Sequence, residues 1–516
     1  MSAARARLLG RVACRLVRET AATAGPLRSG SAQEPPGSAQ RRATAVREAF
    51  ESLGPLYVKV GQILSTRPDI VPAAIARELE HLHDRASVVP FDAMEPVLGE
   101  ALGRRWRGGF RHFDATSPLG TASLAQVYSA TLADGTPVAV KVQRPGIRPT
   151  VEEDMRMLRR AARFFAARAP AAVNATIDVD AMLGVVFDAM RPELDFTLEA
   201  RNMERAARAA RDFDRVAVPD VIEAAPRVLV QRLADGTSIR DADPTAFKEE
   251  ERADIGRSLL AFMYRGYFTD MTFHADPHPG NVFVVPGGPA TLIDWGMVGV
   301  IDRRASMSLM LGLLSLSQND GRALARAWVE MGTVTPWADV SAFAQDMAAL
   351  VPRITSASLG ELNFGATLTT VLAHSTRRGI QTSPMVSILG KSFANAEGSV
   401  RYLAPELSVT EVFREQMRDI LFAYARDALS EQQAARTAME LLLSGLSAPG
   451  EMRGLLRDLA NQDLTVQVAT VAKQGFSPAD DRTDARTRRA LRAAVLAALC
   501  WYAARAHRAA PPRTAG

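Results

Sequence analysis

Three polar residues in the second half of the chain have the types and spacing of a phosphoryl-transfer site. Asp276 is followed five positions later by Asn281 and thirteen positions after that by Asp294. Phosphoryl transfer needs little from a protein beyond positioning and charge neutralisation. One carboxylate faces the attacking oxygen, and one amide and one carboxylate suffice for Mg2+, which prefers oxygen ligands and keeps several waters. The pattern predicts Asp276 as the catalytic carboxylate and Asn281 and Asp294 as metal ligands.

The residues between Asn281 and Asp294 predict the structure that brings these two side chains together. Residues 282–285 and 290–293 are short β-prone runs, and the Pro-Gly-Gly-Pro sequence at 286–289 is typical of a turn. A hairpin of this kind places Asn281 just before its first strand and Asp294 just after its second. The two metal ligands are therefore expected to be neighbours in space.

Two histidines flank the first carboxylate. His274 and His278 lie two residues before and two residues after Asp276. They are candidate zinc ligands, but no third ligand follows at the spacing that zinc sites use. Structural roles that organise the loop are favoured for both histidines.

A lysine within a β-prone run upstream fits the same chemistry. Lys141 lies in the run 138–142, which follows an Asp-Gly turn, and residues 124–132 form the partner strand of the predicted hairpin. A kinase-type site uses a lysine on a sheet strand to reach the α- and β-phosphates. The loop that enters the hairpin is in the position of a phosphate-covering loop, although it has one glycine where repeated glycine allows closer approach. Its candidate nucleotide-binding residues are Gly120, Thr121, Ala122 and Ser123.

Lys141 needs a carboxylate partner, and the candidates lie in residues 191–200. Glu199 is favoured because it falls inside an Ala-rich helix that continues to about residue 211, the alternative being an ordinary solvent-exposed glutamate. Residues 228–230 predict a further strand that runs into an exposed connection. In a kinase-like fold this connection meets adenine, which makes Arg232 and Leu233 candidate ATP-binding residues.

Two features differ from an ordinary protein kinase. The residues after Asp294-Trp295-Gly296 do not form a long activation segment, since a helix is predicted to start near Arg303. The platform that would hold an extended peptide is therefore missing. In addition, a long extension precedes the sheet and carries Lys59, Gly61 and Gln62, followed by Ser-Thr-Arg-Pro-Asp at 65–69.

Taken together, these motifs resemble the UbiB/AarF-type (ADCK-like) atypical kinases. The resemblance covers about residues 45–305 in order. It rests on the Lys-x-Gly-Gln segment with the Ser-Thr-Arg-Pro-Asp that follows it, on the small-residue loop, on the Glu-x-Asp pair Glu193 and Asp195, and on the catalytic loop 274–281. The Lys-x-Gly-Gln segment is a signature of that family and not of kinases in general.

The resemblance implies a role for each motif. Lys141 would pair with Glu199 and contact the phosphates, and Asp276 would be the catalytic aspartate. Lys59 would lie over the active site and engage Glu193. The implied cofactors are ATP and Mg2+, held in part by Asn281 and Asp294, and the regulatory lid comprises Lys59, Gly61, Gln62, Glu193 and Asp195.

The sequence also departs from the family pattern. Gly120 and Thr121 stand where much of the family has alanines, so the loop is expected to be looser and the balance between nucleotide binding and phosphotransfer to shift. Trp295 replaces the usual phenylalanine. The C-terminus lacks the long paired hydrophobic helices that many relatives carry, so membrane anchoring is not carried over from the family.

Composition limits the class of protein and of partner. Of 516 residues, 47% are hydrophobic and 23% are charged, as in ordinary globular proteins. The net charge of +5 is small and basic residues form no aromatic-interleaved stripe, so no nucleic-acid partner is expected. Two cysteines, Cys14 and Cys500, give no disulfide framework and favour a reducing compartment.

The two ends of the chain raise the question of membrane contact. Residues 1–20 are compatible with a basic surface-binding helix, a mitochondrial transit peptide or a disordered leader, and residues 24–40 are typical of a linker. The apolar run 493–504 has twelve residues, whereas a bilayer span needs about 20. A buried or interfacial helix is expected there. The expected location is the cytoplasm or the inner face of a membrane, with peripheral contact.

The predicted fold class is α+β: a protein-kinase-like two-lobed fold with an N-terminal helical extension and a C-terminal all-helical extension. The predicted divisions are a basic flexible leader at 1–43, the helical extension with the Lys-x-Gly-Gln motif at 44–112, an N-lobe at 113–236, a C-lobe at 237–335, a helical extension at 336–475, and a linker with a short apolar helix at 476–516.

The predicted function is that of an ATP-dependent atypical kinase or ATPase. The resemblance implies that it supports isoprenoid-quinone (ubiquinone-type) or related lipid metabolism, with lipid or quinone precursors or quinone-biosynthesis proteins as partners. Two alternatives remain open at this stage. One is a small-molecule kinase, and the other is a scaffold that nucleotide binding switches without catalysis.

Overall fold

The computed structural model describes residues 12, 38–65, 71–82, 87–166, 179–355 and 364–428 of the chain. The helices are α1 Ser38–Leu53, α2 Pro55–Ser65, α3 Ala73–Glu80, α4 Phe91–Leu102, α5 Ile147–Ala166, α6 Val179–Leu194, α7 Phe196–Ala210, α8 Glu249–Phe268, α9 Arg303–Ser317, α10 Gly321–Met331, α11 Val340–Thr355, α12 Phe364–Arg377, α13 Pro384–Leu403 and α14 Val409–Ala428. The strands are β1 Phe110–Phe113, β2 Gly120–Thr121, β3 Ala125–Leu132, β4 Pro137–Gln143, β5 Val216–Ala217, β6 Val221–Ala225, β7 Val228–Arg232, β8 Thr237–Ser238, β9 Thr272–His274, β10 Val282–Val284, β11 Ala290–Leu292, β12 Val298–Val300, β13 Gly332–Val334 and β14 Ile380–Thr382.

The N-lobe is built on a six-stranded antiparallel sheet. Its strand order is β1-β3-β4-β7-β6, with β2 paired to β3. Alternate residues of β4 point to opposite faces: Val138, Val140 and Val142 are fully buried against α4, and Lys141 points to the other face. The alternation that builds the core of this lobe therefore also turns Lys141 toward the side of the sheet where Glu199 and Asp294 lie.

The N-terminal extension forms a small helical layer of its own. Helices α1, α2 and α3 pack on one another, and α2 also packs on α6, which carries Glu193. Gly61 lies in α2 where a Cβ would crowd side chains of Phe50, Leu79 and Leu82. A glycine is needed at this position because the three helices approach closely there.

The C-lobe holds the largest core, with the buried helix α8 at its centre. Leu259, Leu260, Tyr267 and Phe268 of α8 are fully buried. The helices α13 and α14 pack on α8. Ring stacking at 4.2 Å between Tyr267 and Phe393 joins α8 to α13. The C-terminal helices therefore belong to the same core as the catalytic loop.

The mixture of a helical layer and antiparallel sheets confirms the predicted α+β class, while several details differ from prediction. Helix α1 begins at Ser38, inside the segment predicted as linker and leader. The sheet begins at Phe110, within the stretch predicted to be helical, because β1 pairs with β3. The predicted all-helical extension contains β14, which pairs with β13. Gly120 and Thr121, predicted as loop, form β2.

The chain contains the Ala-Pro-Glu tripeptide that protein kinases carry at the end of the activation segment, but here it lies at 404–406, far from Asp294. It follows α13, where Ala404 caps the helix and Glu406 lies 3.4 Å from Arg252 of α8. The tripeptide therefore ends a helix of the C-terminal extension and does not close a peptide platform.

Several predictions fall on residues that the structure does not describe. They concern most of the leader, residues 66–69 of the extension, the linker at 476–487 and the apolar run 493–504. Among the helices that are described, none combines the length and apolar character needed to cross a membrane.

Candidate active site

An ion-pair network joins the N-lobe to the hairpin of β10 and β11. The ammonium of Lys141 on β4 lies 2.9 and 3.0 Å from the carboxylate oxygens of Glu199 on α7. The same Nζ lies 3.2 Å from Oδ1 of Asp294. The pairing predicted from sequence between Lys141 and Glu199 is therefore present, and Lys141 also holds the proposed metal ligand.

Burial sets the electrostatics of this network. The side chain of Glu199 is 1% exposed, and burial raises its pKa to about 7, an effect that Lys141 opposes and the Asp294 charge reinforces. Burial disfavours the charged form of Lys141, but Asp294, Glu199 and Glu193 together hold its pKa well above the usual value. Lys141 therefore stays charged and is balanced by carboxylates on three sides.

Helix α7 is held at both the lysine and the Asp-Trp-Gly turn. Its first turn is capped by Asp195, whose carboxylate accepts hydrogen bonds from the backbone N–H and the hydroxyl of Thr197. One turn later Glu199 meets Lys141, and the amide of Asn202 donates to the carbonyl of Trp295 at 3.0 Å. A single helix thus fixes the spacing between Lys141 and the Asp-Trp-Gly turn.

The catalytic loop is organised by its two histidines, as the sequence favoured. His274 is buried, bonds through Nε2 to the carbonyl of Ile293 at 3.0 Å, and accepts the backbone N–H of Asp276 through Nδ1 at 3.1 Å. Burial lowers the pKa of His274, which keeps the ring neutral. A neutral ring can donate through Nε2 and accept through Nδ1. His278 accepts the N–H of Gly280 at 3.0 Å. The described residues contain no cluster of three or more metal-binding side chains around them.

The hairpin brings the two proposed magnesium ligands together. Strands β10 and β11 pair with Val282 opposite Leu292, and the N–H of Ile293 donates to the carbonyl of Asn281 at 2.9 Å. Asp294 follows with a φ of 59°, a left-handed conformation that non-glycine residues adopt rarely and mostly at functional sites. The hairpin predicted from the sequence is present, and it turns the Asp294 carboxylate outward, with the side chain 47% exposed.

The donor chemistry of this pair fits Mg2+. The charge of Lys141 holds the pKa of Asp294 well below its usual range, so the carboxylate is ionised at neutral pH. The side chain of Asn281 donates through Nδ2 to the carbonyl of Asp276 at 3.1 Å, which leaves its amide oxygen as the ligand atom. One anionic and one neutral oxygen donor are a ligand set that suits Mg2+ in phosphate-binding sites.

The partners of Asp276 were not anticipated from the sequence. Its Oδ2 lies 3.1 Å from the ammonium of Lys391, and its Oδ1 accepts a hydrogen bond from Asn395 at 2.6 Å. Both residues come from α13, in the extension to which no role was assigned. Burial would raise the pKa of Asp276, but Lys391, with His278 and Lys59, brings it below the ordinary value. The sequence offered one compositional sign of Lys391. Only five of the 62 basic residues are lysines, and three of those five form ion pairs with carboxylates of this site.

The lid residues divide into those that face the site and those that hold the extension. Lys59 on α2 lies 3.3 Å from Glu193 on α6, as the resemblance implied. Gly61 and Gln62 face the extension: Gly61 is packed between helices, and Gln62 bonds at 3.4 Å to the carbonyl of Leu82. Asp195 caps α7. Of the predicted lid residues, Lys59 and Glu193 therefore form the contact between the extension and the site.

The predicted nucleotide-contacting segments are close to the lysine but differ in detail. Gly120 and Thr121 pair with β3 opposite Val127 and Gln126. The carbonyl of Ala122 accepts a hydrogen bond from Arg144, and Ser123 follows at the entry to β3.

At the other edge of β4, the N–H of Arg232 donates to Asp220 and that of Leu233 to Pro137. These two N–H groups bond within the sheet, and the contact of Arg232 and Leu233 with adenine stays a prediction. Only their carbonyl or side-chain groups remain for such a contact.

Comparison with known proteins gives the same assignment as the geometry. The model of the ABC1 atypical kinase-like domain matches residues 81–328. A probable protein kinase UbiB of Pseudomonas putida (strain GB-1) is 33% identical over 73% of this chain and 71% of that protein. A probable protein kinase UbiB of Pseudomonas fluorescens (strain SBW25) is 30% identical over 81% and 77%, respectively.

The chain belongs to the UbiB family of atypical kinases. The predicted family and its kinase-like α+β fold are therefore confirmed. Among solved structures, the Rv3197–erythromycin complex from Mycobacterium tuberculosis is 25% identical, with a TM-score of 0.47 over 67% of this chain and 90% of that one. The residues that the family model matches, 81–328, include Lys141, the catalytic loop and the Asp-Trp-Gly turn.

Proposed function

We propose that this UbiB-family chain is a magnesium-dependent ATPase or atypical kinase that acts on a non-peptide acceptor. One observation carries the proposal: Lys141 bridges the buried Glu199 and the exposed Asp294. A kinase site must place the strand lysine, its glutamate and the metal-binding aspartate together before it can transfer a phosphoryl group. Here the three groups are already assembled.

Each residue has a distinct task in this proposal. Lys141 contacts the α- and β-phosphates of ATP and is held by Glu199, while Asp276 orients the attacking oxygen. Asn281 and Asp294 would hold Mg2+, which would supply positive charge to neutralise the phosphates. Lys59, tied to Glu193 at 3.3 Å, adds a positive charge at the edge of the cleft.

The acceptor is inferred from the short connection after the metal-binding turn. Helix α9 begins at Arg303, nine residues after Asp294, and β12 occupies Val298–Val300 between them. That connection is too short to build a surface for an extended peptide. The proposal therefore assigns water or a small lipid-linked hydroxyl as the acceptor. Membership of the UbiB family supports a role in isoprenoid-quinone or related lipid metabolism at the cytoplasmic side of a membrane.

Turnover of ATP by the purified protein tests this proposal. We expect phosphate release or transfer that depends on Mg2+ and falls at least 100-fold in Asp294→Asn, on the scale of losing a charged transition-state contact. Asp214→Asn is the matched control, because it makes the same change at an exposed carboxylate outside the network. Full turnover in Asp294→Asn would remove the magnesium assignment.

A second experiment tests the pathway and separates the alternatives. Lipid extracts of a strain that lacks the protein should show a missing quinone or an accumulated precursor. Complementation of that strain by Asp276→Asn would favour the nucleotide-switched scaffold, and rapid phosphorylation of a polar metabolite would favour the small-molecule kinase.

A further inference from the structure

Helix α13 lies directly against the catalytic loop and contacts it through four side chains. Besides Lys391 and Asn395 on the Asp276 carboxylate, the hydroxyl of Ser392 donates to the carbonyl of His274 at 2.6 Å, and that of Ser399 donates to the carbonyl of Pro277 at 2.8 Å. The loop is thus bonded to α13 on both sides of its aspartate. No other helix among the described residues makes comparable side-chain contacts with the Asp276 carboxylate.

The positions of these side chains follow from helical geometry. Lys391 and Asn395 are four residues apart, so they lie on one face of α13 and reach the two oxygens of one carboxylate. The same helix is buried along its other side through Phe393, Ala396 and Val400. Tight packing fixes α13 in place, and α13 in turn fixes the direction in which the carboxylate points.

The residue type at position 391 is informative in this chain. Arginine supplies 57 of the 62 basic residues, and lysine supplies five. Lysine presents a compact ammonium whose three donors can rotate, whereas the planar guanidinium of arginine needs more room and a fixed fork geometry. The lysines beside Asp276, Glu199 and Glu193 therefore depart from the arginine bias of the chain.

We propose that Lys391 and Asn395 are positioning residues for Asp276, so that α13 of the C-terminal extension forms part of the phosphoryl-transfer site. The inference rests on the proposed function and adds α13 to the site, as the helix that holds the carboxylate facing the phosphoryl acceptor. With one donor on each carboxylate oxygen, the Asp276 carboxylate is held in one orientation, and each oxygen keeps a second lone pair with which to meet a hydroxyl or water.

The effect of losing this support is separable from an effect on nucleotide binding. The hydrogen bonds of Lys141 run to Glu199 and Asp294, and within the described residues none of these three side chains bonds to α13. Misplacement of a catalytic group by about 1 Å lowers the rate by about 100-fold. Lys391→Met and Asn395→Ala should therefore lower kcat by about 10- to 100-fold and change the dissociation constant of Mg·ATP by less than about threefold.

The test compares these variants with two others from the same helix. Arg401→Met removes an exposed cation from α13 and should leave kcat unchanged. Lys391→Arg keeps the charge and should recover part of the activity lost in Lys391→Met. Wild-type kcat in Lys391→Met, or equal loss of kcat, nucleotide affinity and thermal stability without recovery in Lys391→Arg, would overturn the inference.

Amide hydrogen exchange provides a readout that does not depend on turnover. Four N–H groups of the catalytic loop, those of Asp276, His278, Gly280 and Asn281, bond within the loop that α13 supports. Exchange over this segment should be at least tenfold faster in the Lys391→Met/Asn395→Ala variant than in the wild type or Arg401→Met. Unchanged exchange would contradict the inference, even if the wild type proved to have no ATP turnover and the proposed function itself failed.

Discussion

Replacing the buried Glu397 should remove a pH dependence from the stability of the C-lobe. Glu397 lies in α13 between Asn395 and Ser399 and has no exposed surface. Its Oε1 accepts the N–H of Phe364 at 3.2 Å, and its Oε2 has no hydrogen-bond partner among the residues that the structure describes. Burial raises the pKa of this carboxyl to about 8, from an ordinary value near 4.5.

The sign of the effect follows from proton binding. Between pH 4.5 and 8 the folded state keeps the Glu397 proton and the unfolded state has lost it, so the free energy of unfolding falls as pH rises. At about 1.36 kcal/mol per pH unit, the wild type loses about 2 kcal/mol between pH 6 and pH 8 from this group. Glu397→Gln does not titrate, so this loss should be absent.

The assay is thermal unfolding of the wild type and Glu397→Gln from pH 6 to pH 9. Because about 1 kcal/mol shifts the Tm of a domain of this size by about 2–4 °C, the difference in Tm between the two proteins should change by about 4–8 °C between pH 6 and pH 8, in favour of the variant. If the amide of Glu397→Gln destabilises the protein by a constant amount, it shifts the whole curve of Tm against pH without changing the slope of that curve. Glu204→Gln, which changes an exposed glutamate, is the control. Parallel curves for wild type and Glu397→Gln would refute the reasoning.

Three further substitutions test other parts of the structure. Lys141→Met leaves Glu199 buried without its cation and should lower the free energy of unfolding by about 3–5 kcal/mol, whereas the double replacement Lys141→Met/Glu199→Met should cost less, as denaturant unfolding can measure. Gly61→Ala places a Cβ 2.9 Å from Phe50 and should destabilise the N-terminal extension by about 1–3 kcal/mol, seen as faster proteolysis of that region. Gly120→Ala meets no atom within 4 Å and should raise the stability of the N-lobe by up to about 1 kcal/mol, measured as a higher Tm.

The hairpin of β10 and β11 was predictable because the residues that determine it are close together in the sequence. The spacing of Asn281 and Asp294, the β-prone runs and the turn between them all lie within fourteen residues. Alternation in β4 likewise sets the direction of Lys141 without reference to distant residues. Local patterns of this kind gave both the elements and the side-chain orientation.

The support for Asp276 was not predictable because it depends on long-range packing. Lys391 is 115 residues from Asp276 in the chain, and Asn395 is 119 residues away. A Lys and an Asn four apart in an apolar helix indicate a buried polar face, but the pattern does not say which group they meet. Arg232 and Leu233 show the same limit, since sheet pairing with neighbouring segments decided what their N–H groups contact.

The most direct test of the central claim is the dependence of nucleotide affinity on Mg2+. Calorimetric titration of the wild type with ATP should show much tighter binding with Mg2+ than with EDTA. Asp294→Asn should bind ATP with nearly the same affinity in Mg2+ and in EDTA, because this variant lacks the ionised carboxylate that holds Mg2+ in the wild type. Equal Mg2+ dependence in the wild type and Asp294→Asn would contradict the assignment of this hairpin as the metal-binding part of a phosphoryl-transfer site.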